Sequence, residues 1–104
     1  MEEKGLWETA NTPMKVFVVI DYQRIVYSPR NAEKVIDVTV CKDYLEARRV
    51  FKDLVKGLKE MIEGQEECFS CEENERYFYM IDNSDEKNSE YELQIEQKEV
   101  KSYD

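Results

Sequence analysis

Cys68 and Cys71, in the stretch EECFSCEENE (residues 66–75), are the residues whose type and spacing come closest to chemistry. A Cys-x-x-Cys pair works as a redox couple when one thiol is held as a thiolate, at a helix N-terminus or beside cations. Here the setting is reversed. Glu66, Glu67, Glu72 and Glu73 flank the pair, and it follows the expected C-terminal end of a helix, the negative end of the dipole. Both features raise a thiol pKa. A structural zinc takes about four ligands, mostly Cys or His. The chain has no His, and its third cysteine, Cys41, precedes the helix. A helix of about 20 residues separates its ends by roughly 30 Å, and the residues after Gly64 bring Cys68 back by at most about 14 Å. A site using all three cysteines of one chain is therefore not expected. One shared across a dimer, or completed by carboxylates, stays open. The expectation is that residues 66–75 form a loop, with Cys68 and Cys71 the only candidates for a metal or thiol site.

Other chemistries lack their residues. Ser or Cys nucleophiles normally need a basic partner, and His is absent. Phosphate-binding loops cluster glycines, whereas Gly5, Gly57 and Gly64 are scattered. Asp82-Asn83-Ser84-Asp85-Glu86 has the look of a calcium loop, but Lys87 and Leu93 stand where that loop requires Gly and Glu. Carboxylate pairs abound and none stands out. No enzyme and no cofactor are expected.

The 104 residues suffice for one domain. Hydrophobic residues make up 41% and charged residues 38%, a lean composition whose apolar residues are nevertheless strongly patterned. The opening MEEKG does not resemble a signal peptide. The longest aliphatic and aromatic run, Val16 to Ile20, is far shorter than the ~20 residues of a membrane helix. Three cysteines argue against a secreted disulfide framework. A cytoplasmic, reduced protein that does not engage membranes is expected.

The elements follow from periodicity. Met14 to Tyr22 alternates Val16, Val18 and Ile20 on one face with Phe17 and Val19 on the other. Both faces are apolar, as in an interior strand, and the pattern continues weakly through Tyr27. Ser28-Pro29-Arg30-Asn31 is turn chemistry. Lys34 to Cys41 is a second strand with Ile36, Val38 and Val40 on one face. Asp43 has the chemistry of a helix N-cap, with Glu46 three residues on. Ala47, Val50, Phe51, Leu54, Leu58 and Met61 recur at helical spacing, and Gly64 is the expected stop. Arg76 to Asp82 and Tyr91 to Lys98 are the third and fourth strands, the last alternating strictly. The fold class expected is α+β, a four-stranded, mainly antiparallel sheet with one helix on one face (β-β-α-β-β). Residues 1–13 read as an N-terminal arm, 14–100 as the domain and 101–104 as a tail.

The segments MKVFVVIDY, DYLEARRVF and YELQIEQKEV resemble those of a loose group of short acidic proteins of gut-dwelling Firmicutes and Bacteroidetes and their mobile elements. The resemblance spans most of residues 14–100. It implies a bacterial protein and the same β-β-α-β-β order, and it brings no activity or functional residues with it.

Charge is unevenly placed. Residues 1–59 hold 11 Lys/Arg and 9 Asp/Glu; residues 60–104 hold 4 and 15, a net of −11. The field disfavours nucleic acid, and Arg48, Arg49, Lys52, Lys56 and Lys59 read as a solvated helix face balanced by carboxylates. Tyr77-Phe78-Tyr79 reads as sheet core and cross-strand pairs. One helix covers one sheet face, so apolar groups on the other call for a cover: the arm with Trp7, a second copy, or another protein. The expected interaction surface comprises Phe17, Val19, Phe78, Met80 and Trp7. The leading functional expectation is a non-catalytic domain acting through protein–protein contact or as a homodimer. An acidic inhibitor or immunity-type protein docking on a basic target comes second, and a metal or thiol site third.

Overall fold

The computed structural model describes residues 14–84 and 88–100, with the backbone alone described at Met14 and Val100. The elements are β1 (Met14–Ser28), β2 (Asn31–Cys41), α1 (Tyr44–Met61), a 3-10 turn (Glu66–Cys68), β3 (Phe69–Glu73), β4 (Tyr77–Asp82) and β5 (Glu90–Val100). The fold is α+β, as the periodicity predicts: one helix and one antiparallel sheet. The sheet has five strands, not four, in the order β2-β1-β5-β4-β3. The additional strand, β3, contains Cys71, so the Cys-x-x-Cys segment is not the expected loop. The arm at 1–13, the tail at 101–104 and Trp7 lie outside the described residues.

β1 is the longest strand because it has partners along both edges. Its residues pair with β2 from Phe17↔Cys41 to Ser28↔Asn31, and with β5 from Met14↔Val100 to Arg24↔Glu90. The expected weak continuation past Tyr22 is therefore strand through Ser28, with a register shift against β2 between Val26 and Ser28. β4 joins β5 in register Phe78↔Leu93, and β3 adds to β4 in register Cys71↔Met80. Beyond Arg24 the sheet narrows to the β1–β2 hairpin. There Ser89 extends the tie to β5: its buried Oγ accepts a hydrogen bond from Val26 N at 3.0 Å.

The helix begins where the capping chemistry places it. Asp43 is extended, and its Oδ1 accepts a hydrogen bond from Glu46 N at 2.8 Å. Gly64 has φ +88°, a left-handed conformation that glycine adopts without steric cost, and the chain turns there toward β3. Ala47, Phe51, Val55 and Leu58 form the buried stripe of α1. They pack with Ile62 on Val19, Cys41, Phe78, Met80, Leu93 and Ile95. Phe17 meets Tyr44 edge-on, with ring centroids 5.7 Å apart, and the Arg76 guanidinium lies over the Tyr44 ring, 4.9 Å from its centre.

Residues directly opposite in antiparallel strands share a face. The register Val19↔Ile95 therefore commits Phe17 and Val19 to the helix side. Val18, Ile20 and Tyr22 go to the other side with Val40, Val38 and Ile36 of β2. An α1 of 18 residues is about 27 Å long, whereas the 15-residue β1 runs to about 50 Å. The helix thus covers part of the sheet only. Of β2, Cys41 alone is buried; Asn31 to Val40 are exposed throughout.

Candidate functional site

Four of the five residues expected to form the interaction surface lie in the core. Val19, Phe78 and Met80 are buried beneath α1, and Phe17 is half-buried against the same cluster. This is a correction with a simple cause. Both faces of β1 are apolar, so its own pattern does not choose a side. β5 has only one apolar face, Leu93 and Ile95, and its register with β1 assigns Phe17 and Val19 to the helix.

The exposed apolar surface is on the other face and at the other edge. Ile36, Val38 and Val40 are 63%, 56% and 64% exposed. They stand in one row along β2, beside Tyr22, Ile20 and Val18 of β1. Val35, on the opposite side of β2, is also exposed. β2 is an outer strand of the sheet, so among the described residues one of its edges carries no strand. Open side chains and an open backbone edge therefore coincide on the ten residues Asn31 to Val40.

The rest of the open face has a different character. Glu90, Glu92 and Glu96 of β5 stand in a row there, with Tyr77 and Tyr79 of β4 alongside. The Tyr77 hydroxyl donates to Glu92 Oε2 at 3.0 Å and the Tyr79 hydroxyl to Glu90 Oε1 at 2.7 Å. Tyr79 is consequently pushed up to about 12, first by that hydrogen bond to a carboxylate and then by burial. Arg24 Nη1 also reaches Glu90 at 3.7 Å. That face is thus divided: apolar on β1 and β2, where Val18 is buried and Ile20 and Tyr22 are half-buried beside the exposed β2 row, and acidic and aromatic on β4 and β5. Strand four's aromatics split accordingly, Phe78 into the core and the two tyrosines outward.

All three cysteines are free thiols. Cys68 closes the 3-10 turn and serves through its backbone: its N donates to Gln65 O at 2.9 Å and its O accepts from Asn83 N at 2.8 Å. Cys71 is exposed on β3. Burial and Glu73 push its thiol up, while Lys59 pulls it down. Cys41, fully buried, is also raised, by burial and then by Glu46 and Asp43. Among the described residues, no group of three or more His, Cys, Asp and Glu is placed to hold a metal ion.

The basic stripe of α1 is partly engaged. Arg48 Nη1 donates to the Glu75 carbonyl and its guanidinium lies 5.4 Å from the Phe51 ring centre. Lys59 Nζ donates to Glu73 Oε1 at 2.9 Å. A shallow groove of about 430 Å³ beside it is lined by lysines and glutamates together, including Lys52, Lys56, Glu60 and Glu66. Such mixed charge has no single-sign field to offer a phosphate.

One carboxylate pair appears that spacing does not reveal. Asp21 of β1 and Asp37 of β2 are direct cross-strand partners. Burial raises the Asp21 carboxyl above its ordinary range and the Asp37 charge adds to this, against a weakening contact from Gln23.

No family model, curated protein or solved structure matches the chain. No helix among the described residues is long and apolar enough to cross a membrane.

Proposed function

We propose that this chain is a small non-catalytic interaction domain whose working surface is β2 together with the apolar half of the open sheet face. The observation that carries the reading is the exposure of every residue from Asn31 to Val40, with Ile36, Val38 and Val40 in one row. Long, flat, apolar edge strands are templates for pairing with another chain, and natural proteins usually blunt them. The reading supposes either self-association or a protein partner at this surface. Light scattering after size exclusion, at rising concentration, tests it: mass should rise above 12.5 kDa, and Ile36→Glu should hold the protein monomeric. A wild-type chain that stays monomeric, and whose β2 amides exchange no slower in the presence of cell extract, would overturn it.

A second reading, an acidic inhibitor or immunity-type protein, is favoured by a separate observation. Glu90 and Glu92 are held in place by tyrosine hydroxyls on one open surface. Fixed carboxylates suit a basic protein target. Retention on such a target should then fall steeply with salt, and Glu92→Gln should weaken it. A thiol or metal role for Cys68 and Cys71 ranks third. Changing both to Ser without effect on bound metal or thiol reactivity would dispose of it.

A further inference from the structure

The exposed edge of β2 is self-complementary in one particular register. We infer that two copies of this chain pair through their β2 strands, antiparallel, about a two-fold axis at Ile36, giving a continuous ten-stranded sheet. The inference rests on the interaction-domain reading and deepens it by naming the partner and the geometry.

Charge favours this pairing. The chain carries −9, so a second copy is repelled over most of its surface. β3, β4 and β5 hold Glu72, Glu73, Asp82, Glu90, Glu92, Glu96 and Glu99 against Lys98 alone. β2 holds Glu33, Lys34 and Asp37, and Lys42 follows directly. This segment is close to neutral. Edge-to-edge pairing through it also keeps the two acidic halves at opposite ends of the combined sheet, whereas stacking the open faces would bring them together.

Register selects the axis. A two-fold axis perpendicular to the sheet pairs residues that share a face, so a shift moves matched positions two at a time. Centred on Ile36, the strand Asn31–Cys41 overlaps its copy along its whole length. Ile36 meets the partner's Ile36, Val38 meets the partner's Lys34, Val40 meets the partner's Ala32, Val35 meets the partner's Asp37, and Thr39 meets the partner's Glu33. Within Asn31–Cys41 no like charges stand opposite, and the nearest are diagonal (Glu33 and the partner's Asp37). The neighbouring registers are worse. Centring on Asp37 opposes two aspartates, centring on Val35 opposes Glu33 and Asp37, and centring on Val38 leaves only Val35 to Cys41 overlapping. Like charges directly opposite in a sheet are destabilising.

The overlap is also long enough. Two strands of eleven residues exchange about ten backbone hydrogen bonds, the number found in a whole protein–protein interface of ordinary size. The apolar surface added is modest, so the complex is a concentration-dependent dimer.

Charge variants at the axis read the register directly. Ile36→Glu sets a carboxylate against its own copy, as Ile36→Lys does an ammonium. Each alone should weaken dimerisation at least about a hundredfold in sedimentation equilibrium. Mixing the two should restore a dimer containing one of each, because only there do opposite charges meet. Hydrogen exchange of the wild type should show β2 amides slowing as concentration rises. A dimer whose β2 amides stay fast, or one equally weakened in the mixture, would overturn the inference while leaving the self-association reading standing. A monomer at all concentrations would overturn both. If the glutamate variant fails to fold, circular dichroism reports it, and wild-type exchange decides alone.

Discussion

The two outer strands of the sheet manage exposure in opposite ways. β3 has five residues, two of them glutamates, and Glu73 is tied to the helix through Lys59. It is short and charged, as edges that must not pair with other chains are. β2 has eleven residues, three aliphatic side chains in a row facing solvent, no proline, and a regular register with β1 from Ala32 to Cys41, the one shift falling at the turn end between Val26 and Ser28 of β1. Most β2 side chains play no part in the core beneath α1, which takes from this strand only Cys41. The difference separates folding from contact: one edge closes the domain, the other remains available.

Mutations test that separation. The largest effect belongs to the core. Phe78→Ala should cost about 3–5 kcal/mol in urea unfolding, because the ring is fully buried under α1. Val38→Thr on β2 should stay within about 0.5 kcal/mol at low protein concentration, as exposed positions do. A large loss at Val38 in the monomer would break the comparison, since it would mean that the row is covered within one chain. Next comes Ser89→Ala, which leaves Val26 N–H without its partner at the root of the projecting hairpin. It should cost about 1–3 kcal/mol, and exchange at Val26 should accelerate.

Smaller effects sharpen the picture. Gly57 lies exposed in the interior of α1, and an added Cβ would meet nothing within 4 Å. Gly57→Ala should stabilise by about 0.5–1 kcal/mol through the unfolded chain, with no change at either edge. Asp37→Asn removes a like charge facing Asp21 and should stabilise by a few tenths of a kcal/mol near neutral pH. The sign follows from Asp21. Its carboxyl is raised above 3.8 in the folded chain, so the folded state favours the protonated form. Stability from this site is present below that value and is lost as pH rises through the raised one. The gain from Asp37→Asn should therefore fade in acid, which a pH series of unfolding midpoints measures.

Much of the fold was legible in residue types. The Asp43 cap, the Ala47-Phe51-Leu58 stripe, the glycine stop and the alternation of β5 each follow from local chemistry, and each appears where expected. β3 was not legible. Glutamate and serine are poor strand formers, and the segment Phe69–Glu73 is a strand because β4 offers it an open edge, a non-local cause. The candidate surface was legible in composition and misplaced in space. That Ile36, Val38 and Val40 share one face is visible in β2 alone. That this face is the one away from the helix depends on the β1–β5 register, which no local pattern encodes.

The strand order carries a consequence for biosynthesis. Among the described strands, β1 is made first and is completed by β5, made last, with Met14 beside Val100. Contacts so distant in sequence are slow to form, because a long loop must close before they contribute. At ribosomal rates of about 5–20 residues per second, the β1–β2 hairpin waits several seconds for its second neighbour. Until then the face of β1 away from α1 stays apolar without its second neighbour, so deletion of β5 should yield an insoluble product, which the soluble fraction after expression would report.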